Sequence, residues 1–192
     1  KKIISIFPGS RKSEIDVLLP ILVDFIKLMN KKYDDFFYVF HSTSDFNKSI
    51  QDKLIKEGFK NCGSISNEKI KSEVLKSSYF AVAKSGTISL EICNSKVPSI
   101  IIYKMGFLNF LIIKMLVKVK YANIINIAAD EEVIPELLQS NCNSKNIFNF
   151  VDNFFNDTRN MQNQVDKSQE ILKNFKTNQS SDIAASVLTD SL

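Results

Sequence analysis

Arginine is scarce in this chain. Of its 25 Lys and Arg residues only Arg11 and Arg159 are arginine, and the formal charge is a modest +4. A nucleic-acid surface draws on a dense basic face with interleaved aromatics and several arginines, so scattered lysines read as a solvated surface and no nucleic-acid partner is expected. Cysteine is scarce too. Cys62, Cys93 and Cys142 are odd in number and far apart, which argues for reduced thiols in a cytoplasmic setting, not for a disulfide frame or a zinc site. Long apolar runs are missing: Lys104, Lys114 and Lys118 break the one near Ile112, and a membrane span needs roughly 20 apolar residues. There is no Gly-x-Gly-x-x-Gly, Walker A, nucleophile elbow or metal-ligand cluster, which removes support from dinucleotide oxidoreductases, P-loop enzymes, hydrolases and metalloenzymes.

What is present suffices for a folded domain. The 192 residues are 44% hydrophobic, enough to bury a core in one domain, or in one domain plus a tail. Lys1 opens directly on a strand, and the chain is read as a piece of a longer protein. Buried-type strands are expected at 2–7, 36–40, near 59–62, 80–83 and 97–103, with helices between them. The first helix runs through Ile15, Leu18, Leu22, Phe25 and Met29, with Pro20 as a flaw; the second ends at Gly58; the third covers 67–77. Such alternation calls for an α/β fold, a parallel sheet with helices on both faces. Residues 105–119 read equally as a core helix with snorkelling lysines and as a membrane-surface patch. Beyond them the pattern predicts a strand and loop at 121–129, a short helix at 131–139, and helices at about 146–156, 158–175 and 181–190.

The stretch from Tyr79 to Asn94 reads as a buried strand that turns at Ser85-Gly86-Thr87 straight into a helix. Backbone N–H groups at such a start have no intrahelical partners and favour anions, although an ordinary strand-to-helix turn has the same appearance. Glu91 lies four residues beyond Thr87, about 6 Å along the axis at roughly 1.5 Å per residue, where a carboxylate can accept from ribose hydroxyls. In an open parallel sheet, ligands bind at the carboxyl ends of the strands. Ser10-Arg11, Lys84 to Thr87, Tyr103-Lys104 and Asn126 collect there, and the turns after Phe7 and Lys84 both offer N–H groups. Arg11 is suited to a bidentate diphosphate contact, or is simply a solvated turn arginine. His41, the lone histidine, has no acidic neighbour in sequence and is read as structural or exposed, not as a base.

Phe7-Pro-Gly-Ser-Arg-Lys-Ser-Glu14, Ala83-Lys-Ser-Gly-Thr-Ile-Ser-Leu-Glu91, Val97-Pro98 through Tyr103-Lys-Met105, and Asn126 with Pro135-Glu-Leu-Leu-Gln139 together resemble the C-terminal half of the lipid-A-disaccharide synthases. Phe7 replaces the usual Leu, and Ile125 replaces a frequent Pro. The resemblance implies a hexosyltransferase of GT-B architecture, with a Rossmann-like UDP-sugar-binding domain at 1–145. Residues 146–192 would be a C-terminal helical segment packing on that domain or on the missing N-terminal half. It places Ser10 and Arg11 at the diphosphate, Ser85, Gly86 and Thr87 at the phosphate-binding turn, Glu91 at the ribose, and Asn126, Glu136 and Gln139 around the nucleotide. The implied donor is UDP-2,3-diacylglucosamine and the acceptor 2,3-diacylglucosamine 1-phosphate (lipid X), with no metal or other cofactor. The implied setting is the anionic inner face of a Gram-negative inner membrane, and a homodimer is left open. The resemblance implies that the general base belongs to the missing half, so this half alone is expected to be inactive. The alternative reading is a nucleotide-sugar-binding module with no transferase activity of its own.

Overall fold

The computed structural model describes residues 1–105 and 120–175. Strands β1 (Lys2–Phe7), β2 (Phe36–His41), β3 (Cys62–Ile65), β4 (Ser78–Lys84), β5 (Ser99–Tyr103) and β6 (Glu136–Leu138) form one sheet in the order β3-β2-β1-β4-β5-β6. All five pairings are parallel. The chain builds outward from β1 to β3, then returns to lay β4 against the other side of β1. That reversal opens a crevice between the loops that follow β1 and β4, which is where a doubly wound sheet binds ligands.

The helices are α1 (Lys12–Lys32), α2 (Ser44–Lys56), α3 (Glu68–Lys76), α4 (Ile88–Asn94), α5 (Ile124–Ala129), α6 (Ser144–Phe155) and α7 (Thr158–Phe175). They cover both faces because successive strand residues point to opposite sides. Ile4, Ile6, Phe40, Phe80, Val82 and Ile100 join Leu22, Phe25 and Phe154 in one buried cluster. Phe7, Ala81, Ala83 and Ile101 join Leu75, Ile92 and Ile125 in the other. The uninterrupted apolar character of the strands is the signature of this two-sided burial. Helix α1 runs unbroken through Pro20, which sits on its exposed side, where water can take the carbonyl that proline leaves free. Helix α6 packs against α1, and Asp152 accepts from the Tyr33 hydroxyl at 2.6 Å and pairs with Lys32 at 2.5 Å. Helix α7 packs against α4 and α5. Its Gln164 side chain behaves like a strand residue: Oε1 accepts from Ser99 N–H at 2.7 Å while Nε2 donates to Ser99 C=O at 2.9 Å.

Three expectations fail. The third strand lies at Cys62–Ile65 and not near 59–62, because Gly58 in the left-handed region (φ 78°) closes α2 and Phe59 N–H still bonds back to Leu54. An edge strand needs no apolar run, so Cys-Gly-Ser-Ile serves. Residues 121–129 are not a strand: Asn123 caps α5 by accepting from Ile125 N–H at 2.8 Å, and tertiary bonds of Asn126 override the β-branched composition. Residues 131–139 are not a helix but carry β6, since the buried strand β5 must pair its free edge. Ile101 N–H bonds Pro135 C=O at 2.9 Å, and Ile101, Ile102 and Tyr103 align with Glu136, Leu137 and Leu138. The expected helices at 105–119 and 181–190 lie outside the described residues.

Candidate functional site

A cavity of about 240 Å³ opens at the carboxyl edge between the loops after β1 and β4. Its first wall is the turn from Pro8 to Arg11. Gly9 adopts φ 104°, and a Cβ there would lie 2.5 Å from Glu14 Oε2. The close approach is needed because Glu14, on the first turn of α1, folds back to accept from Ser10 N–H at 3.1 Å and Arg11 N–H at 3.3 Å. This is the returning half of a capping box. Glu14 Oε1 meets the Lys84 ammonium at 2.9 Å, with both side chains largely buried. Burial works to raise the Glu14 pKa, but the Lys84 ammonium and the two amides outweigh it and hold the carboxyl below its ordinary value. One carboxylate thus joins the two loops that form the crevice.

The sequence expectation that both turns present free N–H groups is therefore corrected. Ser10 and Arg11 amides are taken by Glu14, and the Arg11 guanidinium, 79% exposed, leans on the same carboxylate at 3.6 Å. The second turn differs. Ser85 N–H bonds Ile102 C=O, whereas among the described residues the Gly86 and Thr87 amides have no backbone acceptor. Gly86 has nothing within 4 Å of a built Cβ. Glu91 is exposed on α4 and lines the same cavity.

The structure therefore brings Ser10, Ser85, Gly86, Thr87 and Glu91 together around one cavity, with Arg11 just outside its lining. It does not bring Asn126, Glu136 or Gln139 to that lining. Asn126 is fully buried and makes four bonds: Oδ1 accepts from Val133 and Ile134 N–H at 3.0 and 2.9 Å, and Nδ2 donates to Ile134 C=O at 2.6 Å and Glu136 Oε1 at 2.8 Å. Glu136 also accepts from Ala122 and Asn123 N–H at 2.8 and 2.9 Å. Ala122 C=O in turn accepts from the Ser85 hydroxyl at 2.6 Å. Asn126 and Glu136 thus fix the segment that holds Ser85. Gln139 opens a 3-10 turn after β6, with φ 51°.

Sequence reasoning does not place Glu14 in this bracing role, or Lys71, His41, Ser42 or Thr43 at the cavity. Only Glu14 carries a local signal, its position three residues after the helix cap. His41 is structural, as one of its two expected readings had it, yet it also lines the cavity. It is buried and stacks on Phe7 at 4.2 Å. Ser78 donates to Val74 C=O at 2.8 Å, so Ser5 donates to Ser78 and its oxygen accepts from His41 Nε2–H at 2.7 Å. Burial, and after it the charge of Lys71, lowers the His41 pKa to about 3. The ring is neutral at pH 7, and its lowered basicity suits a structural role better than that of a general base.

A family model described as lipid-A-disaccharide synthetase matches residues 1–188. The lipid-A-disaccharide synthase of Rickettsia prowazekii is 36% identical over 191 residues, covering 98% of this chain and 50% of that protein. The chain spans about half the length of the curated relatives it matches. Among solved structures, the C-terminal domain of a group 1 family glycosyl transferase from Francisella tularensis superposes with TM-score 0.61 at 19% identity, covering 91% of this chain and 85% of that one. A co-structure of S. aureus MnaA with UDP gives 0.63 at 14% identity, over 88% of this chain and 41% of that one. At such identities these structures speak for the fold alone, and the fold is one half of a GT-B architecture. The family follows from the sequence match, which runs through both loops of the crevice and the bracket behind Ser85: this chain belongs to the lipid-A-disaccharide synthetase family.

Proposed function

We propose that the chain is the donor-binding half of a lipid-A-disaccharide synthase. The UDP of UDP-2,3-diacylglucosamine occupies the crevice between β1 and β4, its diphosphate at the Ser85–Thr87 turn with Arg11 closing from the rim, and its ribose at Glu91. The acceptor, 2,3-diacylglucosamine 1-phosphate, binds mainly to the other half of the protein. Transfer yields the β-1,6-linked lipid A disaccharide phosphate and UDP. The general base lies in that other half, so this half binds donor without turning it over. The enzyme works peripherally on the cytoplasmic face of the inner membrane, where its acylated substrates reside.

The observation that carries this reading is the cavity itself. It lies at the point where strand order reverses, the position at which doubly wound sheets hold nucleotides, and it combines two amides that have no backbone acceptor among the described residues with a carboxylate on the following helix. Calorimetric titration of UDP into the chain tests it. Binding is expected, and Glu91→Gln should weaken UDP more than inorganic diphosphate, because only UDP carries ribose. Equal losses for both ligands would place Glu91 elsewhere, and absence of UDP binding would overturn the reading.

A further inference from the structure

The cations beside the β1 loop already face a carboxylate. Lys84 and Arg11 both lean on Glu14, at 2.9 and 3.6 Å, and two amides of the turn do the same. Beyond the exposed Arg11 at the rim, a diphosphate needs further positive charge that is easily released, and that charge is found across the cavity on α3. The Lys71 side chain is only 19% exposed, while its partner Glu68, 2.8 Å away, is 85% exposed. This is an i,i+3 contact reaching into solvent, the kind of pair that water and salt screen strongly. Lys71 also sits where two cavities join. It lines the nucleotide crevice and the adjoining groove of about 250 Å³ between α3 and α4, with Phe7, Ile88 and Glu91 lining both. Its ammonium is felt by the buried His41 ring, where it is the second cause, after burial, that keeps the ring neutral.

We propose that Lys71 is a further binding residue for a nucleoside diphosphate: on ligand entry its ammonium leaves Glu68 and takes a phosphate oxygen from the side of the crevice opposite Glu14. The proposal rests on the nucleotide reading above. No covalent step is involved. It makes Lys71 rather than Lys84 the mobile cation, since Lys84 would have to leave a largely buried carboxylate.

The test is calorimetric titration of UDP and of inorganic diphosphate into the unaltered chain, Lys71→Ala, Lys71→Arg and Glu68→Gln, with thermal unfolding of each protein without ligand. Lys71→Ala should weaken both ligands about tenfold or more, the loss of one charge-assisted hydrogen bond. Lys71→Arg should recover most of that loss, and Glu68→Gln should tighten both ligands by removing the competing carboxylate. If the unaltered chain binds UDP and Lys71→Ala binds it equally well, the role of Lys71 is overturned while the nucleotide reading stands. The role is also overturned if Lys71→Ala loses UDP together with thermal stability and Lys71→Arg restores neither. An unaltered chain that binds inorganic diphosphate but not UDP overturns the nucleotide reading, and one that binds neither overturns both.

Discussion

Glu14 shows how much one side chain can organise, because a single carboxylate caps the β1 turn and joins it to Lys84 on β4. Gly9 is the residue that permits this. In Gly9→Ala the new methyl would meet Glu14 Oε2 at 2.5 Å and Glu14 Cβ at 2.8 Å in a backbone held at φ 104°, so a loss of about 1–3 kcal/mol is expected from urea unfolding. Gly86→Ala is the contrasting case: a Cβ there meets nothing, and stability should stay within about 0.5 kcal/mol of the unaltered chain. His41 supplies a pH dependence. The unfolded ring takes its proton near the ordinary 6.5, and the folded ring only near about 3. Between those values the unfolded state binds more protons, so stability falls as pH falls, by at most about 1.4 kcal/mol per pH unit. Urea unfolding at pH 7, 5 and 4 should show a shallower fall in His41→Asn; parallel slopes would assign the acid loss to other groups. The Pro8-Gly9-Ser10-Arg11 and Ser85-Gly86-Thr87 turns were legible in the sequence because each interrupts an apolar strand abruptly. Which charges face each other across the crevice was not, since Glu14 and Lys84 are 70 residues apart in the chain and meet only once β4 lies beside β1.

At the scale of elements, local pattern served where a segment packs on its own periodicity and failed where a neighbour dictates its conformation. Helix α1 and strands β1, β2, β4 and β5 are of the first kind. Helix α5 and strand β6 are of the second: Ile124-Ile125-Asn126-Ile127 has strand composition and Pro135-Glu136-Leu137-Leu138 helix composition, yet each takes the other form. Asn126 and the open edge of β5 decide both. Asn126→Ala would leave the Ile134 N–H and C=O groups buried without their partner, while Val133 N–H keeps Glu131 C=O, and unsatisfied buried groups cost roughly 1–3 kcal/mol each before relaxation. A loss of about 3 kcal/mol in urea unfolding is expected, together with weaker UDP binding through the slackened Ala122–Ser85 contact. Full UDP affinity in a folded Asn126→Ala would show that Ser85 needs no such bracing.

At the scale of the whole molecule, the apolar and lysine-rich segment from Met105 to Lys120 bears on the membrane setting proposed above. Lysines near an anionic surface contribute on the order of 1 kcal/mol each. Lys114→Glu combined with Lys118→Glu should therefore cut sedimentation with anionic vesicles several-fold while UDP affinity is kept. Indifference to both reversals would remove this segment from the proposed membrane contact. The Gln164 clasp acts on a different axis, that of time. A ribosome delivers Ser99 well before Gln164, which follows 65 residues later. Until then the first residue of β5 lacks the partner that completes it, and the nascent sheet carries an unfinished edge. The domain is thus fastened by the last of its described helices, and a chain halted after α6 should emerge protease-sensitive at Ser99. A ribosome-bound series of lengths, probed by pulse proteolysis, would locate the step at which that sensitivity disappears.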